Sequence, residues 1–138
     1  MPSLFSKIIQ GDIPARFVWR DSQCVAFMDI QPLNRGHVLV IPNEEIDEWV
    51  DLNPKTVSHL MLIAHKIAKA QKATLAAHRV GLMIAGFDVP HVHIHVVPIE
   101  SLAHLDFSQA DTSPDPDDLD VVAGLLSTFL NGGRSSGP

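Results

Sequence analysis

The sequence predicts an α+β domain: an antiparallel sheet of about five strands with one long helix packed on it, plus short N-terminal and C-terminal helices. Five short apolar segments are bounded by turn-forming residues, as strands are. In one long segment apolar residues recur at the spacing of a helix. The link between the last two strands is too short for a parallel crossover, so they pair as a hairpin. A chain of 138 residues fits one domain, to which we assign residues 1–138.

The first half of the chain begins with a short helix predicted over residues 3–10, which Ser3 can cap and Gly11 can end. A polar turn suits a hairpin between the first two strands, and a loop with proline and glycine precedes the third. The three strands are predicted at residues 17–20, 24–28 and 37–41.

The second half begins with the long helix, because Asn53 is a good N-cap and Pro54 suits the first helical position. Apolar residues then recur every three or four positions, which predicts a helix to about Ala77. A last helix follows an Asp/Ser/Pro-rich segment and can be capped by Ser113 or Asp115. The two remaining strands are predicted at residues 80–85 and 91–97.

Composition and charge exclude several classes of protein. Hydrophobic residues make up 46% of the chain, which is not typical of disorder. A net charge of −6 argues against a nucleic-acid binder, although a few polar groups can hold a single nucleotide. The one cysteine, Cys24, excludes a disulfide framework within the chain and a cysteine-rich zinc site. Without a membrane-length apolar run or a signal-like start, we expect a cytoplasmic protein with no membrane contact.

The charge is distributed unevenly along the chain. Residues 1–100 carry ten acids and nine bases, whereas residues 101–138 carry six acids and one base. We therefore divide the domain into a nearly neutral core and an acidic C-terminal part that solvates a surface segment. The divisions are the core at residues 3–98, the acidic segment and helix at residues 101–130 and a flexible tail at residues 131–138.

The histidine-rich segment at residues 91–97 carries the strongest chemical signal. Side chains alternate between the faces of a strand, so three apolar residues are predicted to pack on the core: Val92, Ile94 and Val96. The opposite face then carries three imidazoles about 7 Å apart, those of His91, His93 and His95. A single histidine is usually solvated or hydrogen-bonded for structural reasons, but three in a row on one face indicate a functional site.

Two kinds of chemistry suit this row. A metal site is one, because His-x-His on a strand binds metals and Glu100 offers a carboxylate, yet His91 and His95 are expected about 13 Å apart, too far to share an ion. Nucleophilic catalysis is the other, because a neutral imidazole can attack phosphorus through one nitrogen while the other carries the proton. Neighbouring histidines can orient the nucleophile and donate to phosphoryl oxygens.

The segment His91-Val92-His93-Ile94-His95-Val96-Val97 resembles the motif of the histidine triad (HIT) family, His-φ-His-φ-His-φ-φ, in which φ is apolar. The upstream segments resemble the same family, most closely its bacterial Hint-like branch, and extend the likeness over residues 3–98. Those segments are residues 4–9, 12–15, 26–32 and 36–42.

The resemblance implies a HIT-like fold and a homodimeric nucleotide hydrolase or transferase. Such a protein cleaves a nucleoside monophosphate, often AMP, from a leaving group through a nucleotidyl-histidine. By motif position His93 is the nucleophile, His95 donates to the phosphate or the leaving group, and His91 and His37 support the site. Asp29 matches the ribose-binding carboxylate, and the apolar base pocket matches Phe5, Ile8, Phe27 and Ile30. No cofactor is implied, and the expected partners are a purine nucleotide or nucleoside phosphoramidate and a second copy of the chain.

The chain departs from the family pattern just before the triad. Many members carry Gln and then Ser or Thr at the positions that hold Phe87 and Asp88 here. Asp88 therefore falls where a contact with the phosphate of the nucleotide is expected. A carboxylate repels a phosphate unless it is protonated or turned outward, so we expect Asp88→Ser to raise turnover.

Three hypotheses about function remain. The first is a HIT-type nucleotide hydrolase or nucleoside phosphoramidase. The second is a nucleotide-binding module that keeps the triad but turns over little substrate. The third is a metal enzyme with histidine ligands. Turnover of an adenosine phosphoramidate and covalent trapping of nucleotide on His93 separate the first from the others.

Overall fold

The computed structural model describes residues 2–132, which form three α-helices, five strands and three short 3-10 helices. The helices are α1 (Leu4–Ile9), α2 (Pro54–Leu75) and α3 (Pro116–Leu130). The strands are β1 (Phe17–Arg20), β2 (Cys24–Met28), β3 (Val38–Pro42), β4 (Arg79–Met83) and β5 (Ile94–Ile99). The 3-10 helices are Trp49–Asp51, Leu102–Leu105 and Phe107–Gln109. None of the helices in this part of the chain is long and apolar enough to cross a membrane.

The five strands form one sheet in the order β1-β2-β3-β5-β4, and every neighbouring pair is antiparallel. β4 and β5 form the predicted hairpin, and β5 lies between β4 and β3. The outer strands are therefore β1 and β4. This arrangement confirms the predicted α+β fold, with the long helix α2 packed on the sheet.

The two faces of the sheet carry different layers. α2 and α3 cover one face and enclose the larger core, which includes the predicted inward residues of the histidine segment: Val92, Ile94 and Val96. The short helix α1 covers the other face, where Phe5 and Ile8 pack against Val25, Phe27 and Leu39. His95 pairs directly with Leu39 in the ladder, so its side chain lies on this second face.

Helix caps lie where the sequence predicts them. Ser3 Oγ accepts the Ser6 N–H at 3.0 Å, and Asn53 Oδ1 accepts the Lys55 N–H at 2.9 Å. Of the two candidates for α3, Asp115 is the cap, because its carboxylate accepts the Asp117 N–H at 3.0 Å. α2 ends slightly before Ala77, because Ala76 adopts a left-handed conformation with φ 53°.

The predicted bounds of the last two strands are wrong by a few residues. β4 ends at Met83 rather than at residue 85, and β5 begins at Ile94 rather than at His91. The imidazole of His93 hydrogen-bonds through Nδ1 to the carbonyl oxygen of His91 at 2.7 Å. The Val92 N–H donates to Ile46 O at 2.8 Å rather than to a neighbouring strand of the sheet. These bonds keep the first half of the motif out of the ladder. Of the predicted tail, residues 133–138 lie outside the described residues.

Candidate active site

The site lies on the α1 face of the sheet, where the first residues of β5 pair antiparallel with β3. His95 belongs to β5, His91 and His93 immediately precede it, and His37 immediately precedes β3. The structure thus brings together the four histidines singled out from the sequence, and each is at most 3% exposed. Buried imidazoles must find hydrogen-bond partners, and those partners determine which ring nitrogen carries the proton.

His93 has its proton on Nδ1. That nitrogen lies 2.7 Å from the carbonyl oxygen of His91, which can only accept, so Nδ1–H is the donor. In the neutral ring Nε2 then holds the lone pair. The rings of Phe5 and His95 both pack against His93, with centroids 4.9 Å away, and hold its plane. His93 therefore has the tautomer that a nucleophile attacking through Nε2 requires.

His91 is held by two hydrogen bonds and points away from the reacting edge of His93. Its Nε2–H donates to Pro42 O at 2.8 Å, so Nδ1 accepts the hydroxyl of Ser3 at 2.7 Å. Burial lowers the pKa of His91, which keeps the ring neutral. Its own carbonyl orients His93, so His91 acts as a support.

Sequence reasoning missed the cluster beneath His91. Glu45 Oε1 accepts the Ser3 N–H at 2.6 Å and the Ser6 hydroxyl at 2.7 Å. The Ser3 N–H bond is the main cause that lowers the pKa of Glu45 to about 2, so the group is a carboxylate. The sequence showed Ser3 only as a helix cap, because its contact with His91 spans 88 positions.

His37 and His95 form a second chain of donors and acceptors. The Leu33 N–H donates to His37 Nδ1 at 3.0 Å, which leaves the proton of His37 on Nε2. Nε2–H then donates to His95 Nδ1 at 3.0 Å, which leaves the proton of His95 on its own Nε2. Burial lowers the pKa of His37 to about 3 and that of His95 to about 4. Both rings are neutral at pH 7, and His95 offers an N–H donor.

Asp29 lies beside this chain at the end of β2. One carboxylate oxygen accepts the Gln31 N–H at 2.8 Å, and the other lies 3.5 Å from His37 Nε2. Burial raises the pKa of Asp29. Its side chain is 18% exposed, so an incoming hydroxyl group can reach it.

Asp88 points inward, toward Nε2 of His93. Its Oδ1 lies 3.1 Å from His93 Nε2, although 67% of its side chain is exposed. The His93 side chain, in contrast, has no exposed surface. Phe87, the other departure from the family pattern, is fully exposed. The sequence placed Asp88 near an expected phosphate contact, and the structure places it against the imidazole of His93.

The four residues matched to a base pocket differ in burial. Phe5, Ile8 and Phe27 lie in the core beneath α1, whereas Ile30 is 67% exposed. Ile30 adjoins Asp29 and is free to contact a ligand. Phe107, which the sequence did not indicate, packs its ring 5.0 Å from that of His95. It comes from the acidic C-terminal segment, where a single aromatic residue among polar ones carries no pattern.

Two groups within the described residues have side-chain atoms close enough to share a metal ion. Asp29, His37 and His95 form one, but the His37–His95 hydrogen bond already uses the facing nitrogens of its two histidines. The other is at the β1–β2 turn: Asp21, Cys24 and His59. There the Asp21 carboxylate accepts the backbone N–H of Cys24, and burial raises the pKa of the Cys24 thiol to about 12. Neither donor set fits a bound metal well.

The antiparallel sheet with a row of buried histidines on one face defines a class of α+β proteins built around a histidine motif. The family model of the HIT domain matches residues 10–102, a range that includes all three triad histidines. The chain therefore belongs to the HIT family.

Similar proteins carry the same domain. A HIT-like protein of Mycobacterium tuberculosis is 37% identical over 103 residues, which cover 71% of this chain and 72% of that protein. The adenosine 5'-monophosphoramidase of Schizosaccharomyces pombe is 31% identical over 103 residues, 71% of this chain and 74% of that enzyme. The crystal structure of a Zn-bound histidine triad family protein from Mycobacterium smegmatis has a TM-score of 0.80 at 31% identity, covering 94% of this chain and 93% of that chain.

Proposed function

We propose that this protein is a nucleoside phosphoramidase or nucleotide hydrolase. It cleaves a nucleoside monophosphate, AMP being the expected one, from a phosphoramidate or phosphoanhydride through a covalent nucleotidyl-histidine on His93. The observation that carries the proposal is the Nδ1–H bond from His93 to the His91 carbonyl, which leaves the lone pair on Nε2. The adenosine 5'-monophosphoramidase among the relatives supports the same class of substrate.

The neighbouring groups suit the remaining tasks. Neutral His95, whose Nε2 carries the proton, donates to a phosphoryl oxygen as negative charge develops there. The Asp29 carboxylate accepts the two ribose hydroxyls, and exposed Ile30 covers one side of the base. His37 holds His95 in its tautomer, and His91 does the same for His93.

The test measures release of AMP from an adenosine 5'-phosphoramidate. We expect His93→Ala to lower kcat by at least about 1000-fold, because the nucleophile is lost, while AMP still binds. Wild-type enzyme quenched during turnover under alkaline denaturing conditions, which preserve a nitrogen–phosphorus bond, is expected to carry nucleotide on His93 by mass spectrometry.

The matched control is His78→Ala, which removes an exposed histidine that follows α2. It is expected to retain wild-type turnover and AMP binding. Wild-type turnover without a covalent adduct, or a His93→Ala variant that retains its rate, contradicts the nucleotidyl-histidine mechanism.

A second candidate function rests on the position of Asp88. Its carboxylate covers His93 Nε2, which suits a nucleotide-binding module with little turnover. That function predicts tight AMP binding together with no release of AMP from any phosphoramidate or dinucleoside polyphosphate.

We also propose that the protein is a homodimer joined along β4. This strand is at the edge of the sheet, and its Leu82 lies beside Met61 and Leu62 of α2. All three side chains are more than 40% exposed. A second copy related by a two-fold axis can pair its own β4 antiparallel to this one and cover the same patch.

A further inference from the structure

The short contact between Asp88 and His93 shows that the two side chains share a proton. His93 Nδ1–H donates to the His91 carbonyl, so a neutral His93 presents a lone pair at Nε2. The Asp88 Oδ1 atom lies 3.1 Å from that nitrogen. A carboxylate and a lone pair repel each other, so a hydrogen bond at this distance requires one proton between the two atoms.

We propose that Asp88 is the proton carrier of the reaction: it gives this proton to the leaving group and recovers one from the attacking water. The proposal rests on the proposed function, since it assigns the acid and base for attack by His93. Asp88 is a catalytic residue in this scheme because it contacts the reacting nitrogen directly.

In the first half of the reaction the negatively charged phosphoryl group of the substrate displaces Asp88 from His93. The shared proton leaves with Asp88, because a negative charge beside a carboxyl group favours its protonated form. Nε2 forms a bond to phosphorus, and the phosphorus–nitrogen bond to the leaving amine breaks. The leaving nitrogen keeps that electron pair and takes the proton from the Asp88 carboxylic acid. The products of this half are a neutral amine, a nucleotidyl-His93 and an Asp88 carboxylate.

In the second half water attacks the same phosphorus atom and loses one proton to the Asp88 carboxylate. The bond between phosphorus and Nε2 breaks, and its electron pair returns to Nε2. The nucleoside monophosphate leaves, and the proton on Asp88 is again shared with His93. One water is consumed for each amine and monophosphate released, so the cycle closes.

The other groups around His93 are less suited to this task. Both ring nitrogens of His91 are engaged, with Ser3 and with Pro42. His95 is a neutral N–H donor, which holds its proton too tightly to act as an acid. The Asp29 carboxylate accepts the Gln31 N–H and lies 3.5 Å from His37 Nε2, so it is directed at those groups and not at His93.

Asp88 also has the freedom that a carrier needs. It lies in the segment between β4 and β5, its side chain is 67% exposed, and Gly86 nearby adopts φ +89°. A rotation of this side chain uncovers His93 Nε2 for the substrate without disturbing the buried histidines. The carboxylate then remains within a side-chain length of the phosphorus atom.

The experiment compares two leaving groups in single-turnover and burst measurements. Adenosine 5'-phosphoramidates of alkylamines need a proton to leave, whereas the p-nitrophenyl ester of AMP releases a stable phenolate without one. We expect Asp88→Asn and Asp88→Ser to slow the first step with the alkylamines by about 100-fold or more. The p-nitrophenolate burst is expected to change by only a few-fold, followed by a slower steady state as nucleotidyl-His93 accumulates.

The matched control is Asp51→Asn, which neutralises an exposed acid outside the site and is expected to leave both reactions unchanged. If Asp88→Ser matches or exceeds the wild type with alkylamine substrates, Asp88 merely blocks the site, as the sequence-based expectation has it. Equal losses with both leaving groups also overturn the proposal, because they indicate a general electrostatic effect. A wild type that turns over neither substrate overturns the proposed function, and the proton carrier with it.

Discussion

His37 and His95 are buried imidazoles whose neutrality depends on the folded state. The unfolded chain protonates a histidine near pH 6.5, whereas burial lowers the pKa to about 3 for His37 and to about 4 for His95. At a pH between the folded and unfolded pKa values, the unfolded state binds protons at these two histidines and the folded state does not. Acid therefore favours unfolding, and the stabilisation present above pH 6.5 is lost as the pH falls.

We predict that the free energy of unfolding falls between pH 7.5 and pH 5.5, and that His37→Gln reduces this difference. Urea unfolding followed by circular dichroism at the two pH values measures it. Exposed His78 provides the control, because His78→Gln is expected to leave the difference as in the wild type. An unfolding free energy that is flat over this interval in the wild type is the contradicting result.

At the scale of elements, the loop before β3 comes very close to α2 and β5. Gln71 of α2 donates from one amide nitrogen to both Gly36 O and Val96 O, which ties the helix to the loop and to the strand. Gly36 adopts φ +95°, and a Cβ there meets the Leu75 side chain and lies 3.1 Å from Pro98 Cγ. The loop that positions His37 therefore needs glycine at this point.

Gly36→Ala is predicted to lower the free energy of unfolding by at least about 1 kcal/mol, because alanine is strained at this φ and the added carbon crowds Leu75. Gly124→Ala, in the middle of α3 with open space around it, is predicted to raise stability by about 0.5–1 kcal/mol. Chemical denaturation of both variants checks the pair. If both variants change the free energy of unfolding in the same direction and by a similar amount, the backbone conformation at Gly36 is not the cause of the lost stability.

At the scale of the whole molecule, the exposed apolar patch on α2 and β4 predicts the oligomeric state. We expect light scattering to give twice the chain mass of 15.1 kDa for the wild type. Leu82→Glu places a charge on the patch and is expected to shift the protein to the monomer. Val121→Glu, a comparable change at an exposed position of α3, is expected to remain dimeric. A monomeric wild type at micromolar concentrations excludes the proposed interface.

The sequence by itself determined the α+β class, the strand segments, the helix caps and the identity of the triad. Each of these depends on short-range rules: alternation along a strand, helical periodicity and capping within one turn. The three triad histidines could be named for the same reason, since they lie two positions apart. His37 was named only because its segment resembles the HIT family.

Only the tertiary structure decided the chemical state of those histidines. The proton positions on His91 and His95 follow from partners far along the chain or on another strand, and so does the support from Ser3 and Glu45. The inward direction of Asp88 is also a tertiary result, because a loop side chain can turn either way until its neighbours are in place. A one-dimensional pattern specifies which side chains share a face, but hydrogen bonds across the fold specify which atom donates and which accepts.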